Sequence, residues 1–186
     1  CHDQDETGFD LVDGMEEGFS GWNAGGDVAA AQLEPFLAEG RTDQGIRGNY
    51  GKVLLKWTQS AAPYGLVTKN LGTETVDFTS RTSFNFYLLL DWAVGLVGVK
   101  AGIQMEDGTW SIGGFYINRT TDPSPFININ GFQDKVWKLV SLPRDSFTNS
   151  NAWGNVKKIA FQFYEAASDG DYSMFVAFDE IGCDIT

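Results

Sequence analysis

Residues 158–166 read Lys-Ile-Ala-Phe-Gln-Phe-Tyr-Glu-Ala, and from Ile159 every second position is a large apolar side chain as far as Phe163. A period of two places Ile159, Phe161 and Phe163 on one face of an extended strand and Ala160, Gln162 and Tyr164 on the other. The same alternation sets Phe84, Phe86, Leu88 and Leu90 against Asn85, Tyr87, Leu89 and Asp91, and Val99, Ala101, Ile103 and Met105 against Lys100, Gly102, Gln104 and Glu106. Further β-branched and aromatic segments lie at 52–58, 109–118, 136–142 and 173–178. Between them stand turn clusters such as Glu106-Asp107-Gly108, 120–125 and Ser168-Asp169-Gly170-Asp171, whose short polar side chains and glycines accept turn geometry. The pattern predicts an all-β sandwich or barrel. The one helix candidate, 28–38, is interrupted by Pro35, so helix, loop and edge strand all stay open there.

At 186 residues, with 42% hydrophobic and 14% aromatic positions, the chain can bury a core without metal or disulfide staples. A polar, acidic tether over 1–8 followed by a single β-sandwich domain over 9–186 is the expected organisation. No apolar run approaches the ~20 residues of a membrane helix. The formal charge of −12 opposes contact with nucleic acid or an anionic lipid surface. The single histidine, His2, lies in the tether, which removes Ser-His and Cys-His catalysis and His-rich metal sites from the expectations for the folded body.

The two cysteines, Cys1 and Cys183, stand at the two ends of the sequence. A chain that starts on Cys followed by acidic residues resembles a mature surface lipoprotein of Bacteroidetes-type bacteria. That resemblance implies a lipid on Cys1, a place on the outer-membrane surface, and membrane contact only through the anchor. A Cys1–Cys183 disulfide and an arbitrary chain boundary remain alternatives. Cys183 alternates with Ile181 and Ile185, which predicts a small core residue and not a reactive thiol.

Three local patterns are more specific. The segment Gly14-Met15-Glu16-Glu17-Gly18-Phe19-Ser20-Gly21-Trp22 resembles the opening "G-F-E-x-G-x-x-G-W" of galactose-binding-like jelly-roll domains, with Met15 for Phe. Trp137-Lys138-Leu139-Val140-Ser141-Leu142-Pro143, followed by Val156-Lys157-Lys158-Ile159-Ala160-Phe161-Gln162-Phe163, looks like that family's paired late strands. Phe175-Val176-Ala177-Phe178-Asp179-Glu180-Ile181 resembles its closing "F-x-I-D-D-I", with Phe178 and Glu180 as departures. The fold so implied is a jelly-roll β-sandwich of two antiparallel sheets, of the kind found in many carbohydrate-binding modules.

The resemblance implies two sites. A structural Ca2+ would lie between the opening Glu16 and the closing Asp179, where hard oxygen ligands meet; solvated or turn-bonded carboxylates are the alternative. A sugar site would stack pyranose faces on exposed aromatics while amides and Arg take the hydroxyls. Asn85, Tyr87, Gln104, Gln162 and Tyr164 would line one sheet if their strands are neighbours. Trp92, Trp110 and Tyr64, with Arg119 beside them, could form a rim. Trp22, Trp57 and Trp137 read as structural, and Trp153 as capping a loop against the body.

These readings lead to non-catalytic carbohydrate binding by a surface-tethered lipoprotein, alongside other proteins of a glycan-uptake system. Two alternatives compete with it. One is a small glycoside hydrolase or lyase built on a carboxylate pair drawn from Asp91, Glu106, Asp107 and Glu165. The other is a protein-binding adhesion or assembly subunit, marked by an exposed apolar patch.

Overall fold

The computed structural model describes residues 9–15, 21–26, 28–36, 50–57, 64–71, 76–91, 96–118, 127–165 and 172–184. Their strands are β1 (Phe9–Asp13), β2 (Trp22–Gly26), β3 (Val28–Phe36), β4 (Tyr50–Trp57), β5 (Tyr64–Asn70) and β6 (Ser83–Asp91). They continue with β7 (Leu96–Met105), β8 (Trp110–Ile117), β9 (Ile127–Ile129), β10 (Lys138–Pro143), β11 (Val156–Glu165) and β12 (Tyr172–Asp184). Two 3₁₀ turns, Arg144–Ser146 and Ser150–Ala152, join β10 to β11.

The strands form two sheets. Sheet I runs β10-β6-β12-β4-β3, with β1 also paired to β12, and sheet II runs β2-β5-β11-β7-β8-β9. All pairs are antiparallel except β8 with β9. The all-β sandwich expected from the alternation, in the jelly-roll form that the resemblance implies, is therefore the observed architecture. The helix candidate is a strand: β3 lies at the edge of sheet I, where Pro35 takes no hydrogen bond from a central ladder and the register shifts between Gln32 and Phe36.

The core sits where the alternation places it. Phe84, Phe86, Leu88, Val99, Ile103, Ile159, Phe161 and Phe163 are all fully buried. Phe161 of sheet II meets Phe86 and Phe178 of sheet I at ring-centroid distances of 5.0 and 4.7 Å, and so ties the two layers together. Met15, standing where the resemblance expects Phe, is completely buried too. Cys183 is fully buried, as its alternation predicts.

Trp153 holds the β10–β11 connection against the body: it is wholly buried, donates from Nε1 to Ser111 Oγ at 2.9 Å, and packs edge-on against Phe147. The Arg144 guanidinium lies 5.2 Å over its ring and donates to the backbone carbonyls of Ser150 and Thr79, which fastens this corner. Trp137 is structural as expected, but it is only half-buried and meets Tyr50 edge-on at 5.5 Å on the outer side of sheet I. Trp22 belongs to the core, and its Nε1 donates to Asp13 Oδ2. The side chain of Trp57 lies outside the described residues.

Candidate functional site

Because directly paired residues point to the same side of a sheet, the register of sheet II lays out its outer face in rungs. One rung runs Tyr64, Tyr164, Gly98, Tyr116 and Asn128 from β5 to β9. The next holds Gly25, Leu66, Gln162, Lys100 and Gly114, then comes Asn23, Thr68, Ala160, Gly102 and Ile112. The last holds Asn70, Lys158, Gln104 and Trp110.

The small residues of the middle rungs leave a depression. A hollow of ≈ 190 Å³ is lined by Leu66, Lys100, Gly102, Trp110, Ile112, Ala160 and Gln162. A Cβ on Gly102 would stand 3.0 Å from Trp110 Cζ3 and 3.1 Å from Cε3, so the benzo ring of the indole lies across the bare backbone. Gly98 plays the same part for Tyr116, whose Cδ1 would be 3.2 Å from a Cβ there, and that Cβ would also collide with the Phe115 carbonyl oxygen. Thus a half-buried ring rests on the sheet at either end of the depression. Glycine is required here for close approach and not for turn geometry.

One rung further on, a second hollow of ≈ 530 Å³ is lined by Asn70, Gln104, Met105, Glu106, Gly108, Lys157 and Lys158. Gln104 donates from Nε2 to the Gly108 carbonyl oxygen at 3.1 Å, which fixes its amide against the β7–β8 turn. In that turn the Asp107 carboxyl is held below the usual carboxylate range, chiefly by the Thr109 backbone N–H at 2.9 Å.

The structure brings together Gln104, Trp110 and Gln162, pairs the backbone of Tyr164 into the same sheet, and separates Asn85 and Tyr87 from them. β6 pairs with β10 and β12 in sheet I, although it immediately precedes β7 in sequence. Consecutive strands here cross between layers, so nearness in sequence is not nearness on a face. Moreover, Asn85 is only 4% exposed and cannot meet a polymer, and Tyr87 stands half-buried between Leu139 and Asp179. Trp92, Arg119, Glu16 and Cys1 lie outside the described residues, as do the side chains of Tyr64 and Tyr164. Sequence reading missed Lys100, Leu66, Ile112, Tyr116 and Lys158. Alternation had already set Lys100 opposite the core, but only the order β5-β11-β7-β8 makes it part of a floor.

Sheet I carries the expected metal residue. Asp179 is fully buried, and its Oδ1 accepts from the Glu180 N–H at 2.9 Å inside a bulge of β12 that shifts the register between Asp179 and Gly182. Glu180 is buried at φ 50°, and Asn85, opposite Gly182, has a buried Oδ1 with no hydrogen-bond partner. Two buried carboxylates beside an orphaned amide oxygen suit a hard cation in donor chemistry. Among the described residues, however, no group of three His, Cys, Asp or Glu side chains converges on a point.

Of the carboxylates considered for hydrolysis, the side chains of Asp91 and Glu165 lie outside the described residues, and Glu106 and Asp107 are neighbours at the β7–β8 turn. Glu165 pairs at the Leu96 end of β7 and Glu106 follows its far end, about 30 Å away at strand spacing, against the ~5–9.5 Å that a glycosidase pair requires. Asp91 belongs to the other sheet.

No protein-family model matches the chain, and no curated protein matches it. Solved structures share its fold. One belongs to a study of the promiscuous specificity of carbohydrate-binding modules from the β-sandwich superfamily, with TM-score 0.58 and 11% identity over 95% of this chain. This chain spans 62% of that one's length. A family 11 carbohydrate-binding module from Clostridium thermocellum, in complex with a β-1,3-1,4-mixed-linked tetrasaccharide, superposes with TM-score 0.56 and 14% identity, over 94% of each chain. The family 28 module, described as specific for non-crystalline cellulose, gives TM-score 0.53 and 14% identity over 92% of this chain and 93% of its own.

Proposed function

We propose that this chain is a non-catalytic glycan-binding domain and that the outer face of sheet II is its site. The observation that carries this reading is the Trp110 ring in close approach to Gly102 at the wall of an open hollow, with Gln162 and Lys100 also in its lining. A flat apolar ring beside planar polar groups is what a pyranose needs, with one face apolar and its rim all hydroxyls. The likeness to carbohydrate-binding modules supports the same reading. The wide separation of Glu106 and Glu165 speaks for binding over hydrolysis. Isothermal titration against soluble plant, algal and host glycans should give a ligand with Kd in the micromolar to millimolar range of few-contact sites. Failure of every glycan class on a folded sample overturns the reading.

Calcium belongs to this proposal as a structural ion. Among the described residues Asp179 would hold it, with Glu180 and the Asn85 Oδ1 as neighbouring oxygens and Glu16 as the further ligand implied by the resemblance. Bound at about a hundred times its Kd, such an ion adds roughly 2.7 kcal/mol, several degrees of melting temperature. Thermal melts at neutral pH with Ca2+ and with EDTA decide it, and identical curves exclude the ion. A lipid on Cys1 would set the groove at the outer-membrane surface beside other uptake proteins. Labelling with a palmitate analogue in a bacterial host should mark the wild-type chain and spare Cys1→Ala.

A further inference from the structure

We propose that the polymer selected by this face is anionic, a polysaccharide bearing carboxylate or sulfate groups that are met by Lys100 and by the Lys157–Lys158 pair. The inference rests on the reading of sheet II as a glycan groove and names the class of glycan.

Charge is spread unevenly over the surface. The whole chain has 13 Lys and Arg against 25 Asp and Glu, so a hollow of average character would be acidic. The two hollows on the outer face of sheet II reverse that balance: their linings contain Lys100, Lys157 and Lys158 against one carboxylate, Glu106. A third hollow, just past the β7–β8 turn, follows the overall balance instead, with Glu106 and Asp107 and no cation among its described lining residues. Among the described residues, the reversal falls on the face where Trp110 and Tyr116 rest on glycines.

The position of Lys100 adds weight. Its neighbours in the hollow are Leu66, Gly102, Trp110, Ile112, Ala160 and Gln162, and among the described residues it forms no ion pair or hydrogen bond. Lys69, by contrast, reaches Asp13 Oδ2 at 2.7 Å. An ammonium is a compact, strongly hydrated charge, and placing one in a mainly apolar depression is unfavourable unless an anion joins it there. A neutral sugar's hydroxyls are served as well by Gln162. Lys158 stands on the neighbouring strand two rungs away, about 13 Å along the sheet, so two separated anionic groups on one polymer can be met together. The net charge of −12 does not forbid this, because its field is screened beyond about 8 Å at physiological salt while contact pairs are not.

The test uses the full chain and four probes: alginate, the same polymer after carboxyl reduction, a carrageenan, and a neutral mixed-linked β-glucan. Titration calorimetry at about 0.1 M salt should show alginate or carrageenan bound roughly tenfold tighter than the neutral polymers, the sum of two or three partly exposed pairs. Which of the two acidic polymers wins tells carboxylate from sulfate recognition. The advantage should fade towards about 1 M salt, where the screening length falls to about 3 Å. Lys100→Gln should remove about threefold of it with an unchanged melting temperature, while Lys52→Gln on sheet I should remove none. Equal affinity for acidic and neutral polymers overturns the anionic preference and leaves the glycan groove standing. An equal loss of affinity in both lysine variants overturns it in the same way. Binding to no polymer by a folded sample overturns both.

Discussion

The two outer faces of this sandwich are made from strands with the same alternation, yet they differ in almost every physical respect. On sheet II the middle rungs hold Gly102, Gly114 and Ala160, so rings lie down on the backbone and a depression opens between them. On sheet I, among the described residues, the corresponding rungs hold Lys52, Ala177 and Leu89, then Asp179, Tyr87 and Leu139. Asn85, Asp179 and Glu180 are buried, Trp137 packs on Tyr50, and the exposed apolar side chains Val136 and Leu139 stand singly near the edge strand β10. A single substitution pattern therefore distinguishes them. Small residues in central rungs make a receptive face, and bulky or buried polar residues make a closed one.

The most disruptive way to test the contrast is to remove what both faces share. Phe161→Ala takes away the ring that links the sheets through Phe86 and Phe178, and is expected to lose about 3–5 kcal/mol in urea denaturation, taking glycan binding with it. A loss below about 1 kcal/mol would show that the two faces are supported independently.

Next in size is the direct comparison of two tryptophans. Trp110→Ala is expected to weaken glycan binding by about 2 kcal/mol, roughly thirtyfold in Kd, while Trp137→Ala leaves Kd within about twofold. The opposite ranking in titration calorimetry would move the site to sheet I. A smaller effect probes the seat beneath the ring. Gly102→Ala needs the Trp110 ring to shift by a few tenths of an ångström, and should weaken binding about fivefold with little change in melting temperature. A melting temperature that falls while Kd holds would make Gly102 a packing residue only.

The smallest expected effect lies in the loops and spares both faces. Asp77 is held below the usual carboxylate range, first by the Thr79 hydroxyl and then by the Thr79 N–H, and Asp107 by Thr109. Since folding lowers these values, the stability they add is present above the unfolded pKa of about 3.9 and is lost as pH falls through the folded values. Melting temperature should thus decline slightly below about pH 4, and Asp77→Asn should flatten that decline. An unchanged acid limb in Asp77→Asn would assign it to other groups.

Much of this architecture was legible in the residues. Phe84, Phe86, Leu88, Val99, Ile103, Ile159, Phe161 and Phe163 were separated from their polar neighbours by alternation alone, because a strand buries one side whatever its partner. β2, with the sequence Trp-Asn-Ala-Gly-Gly, and β3, with its internal proline, were not legible as strands. Local preference there is weak, and pairing with β5 and β4 decides the conformation. At the candidate site, residue type points to Gln104, Trp110 and Gln162, but whether Asn85 and Tyr87 join them depends on strand order, which places β6 in the other sheet.

Composition and a period of two are enough for the all-β class, the inner faces of β6, β7 and β11, and an overall acidic charge. Only the tertiary structure decided which outer faces coincide and where the few cations gather. Register and strand order bring Lys100 to Gly102, Trp110 and Gln162, residues up to 62 positions apart in the chain, and no local rule encodes pairing at that distance. That is why a chain of net charge −12 can present a groove whose own lining is cationic.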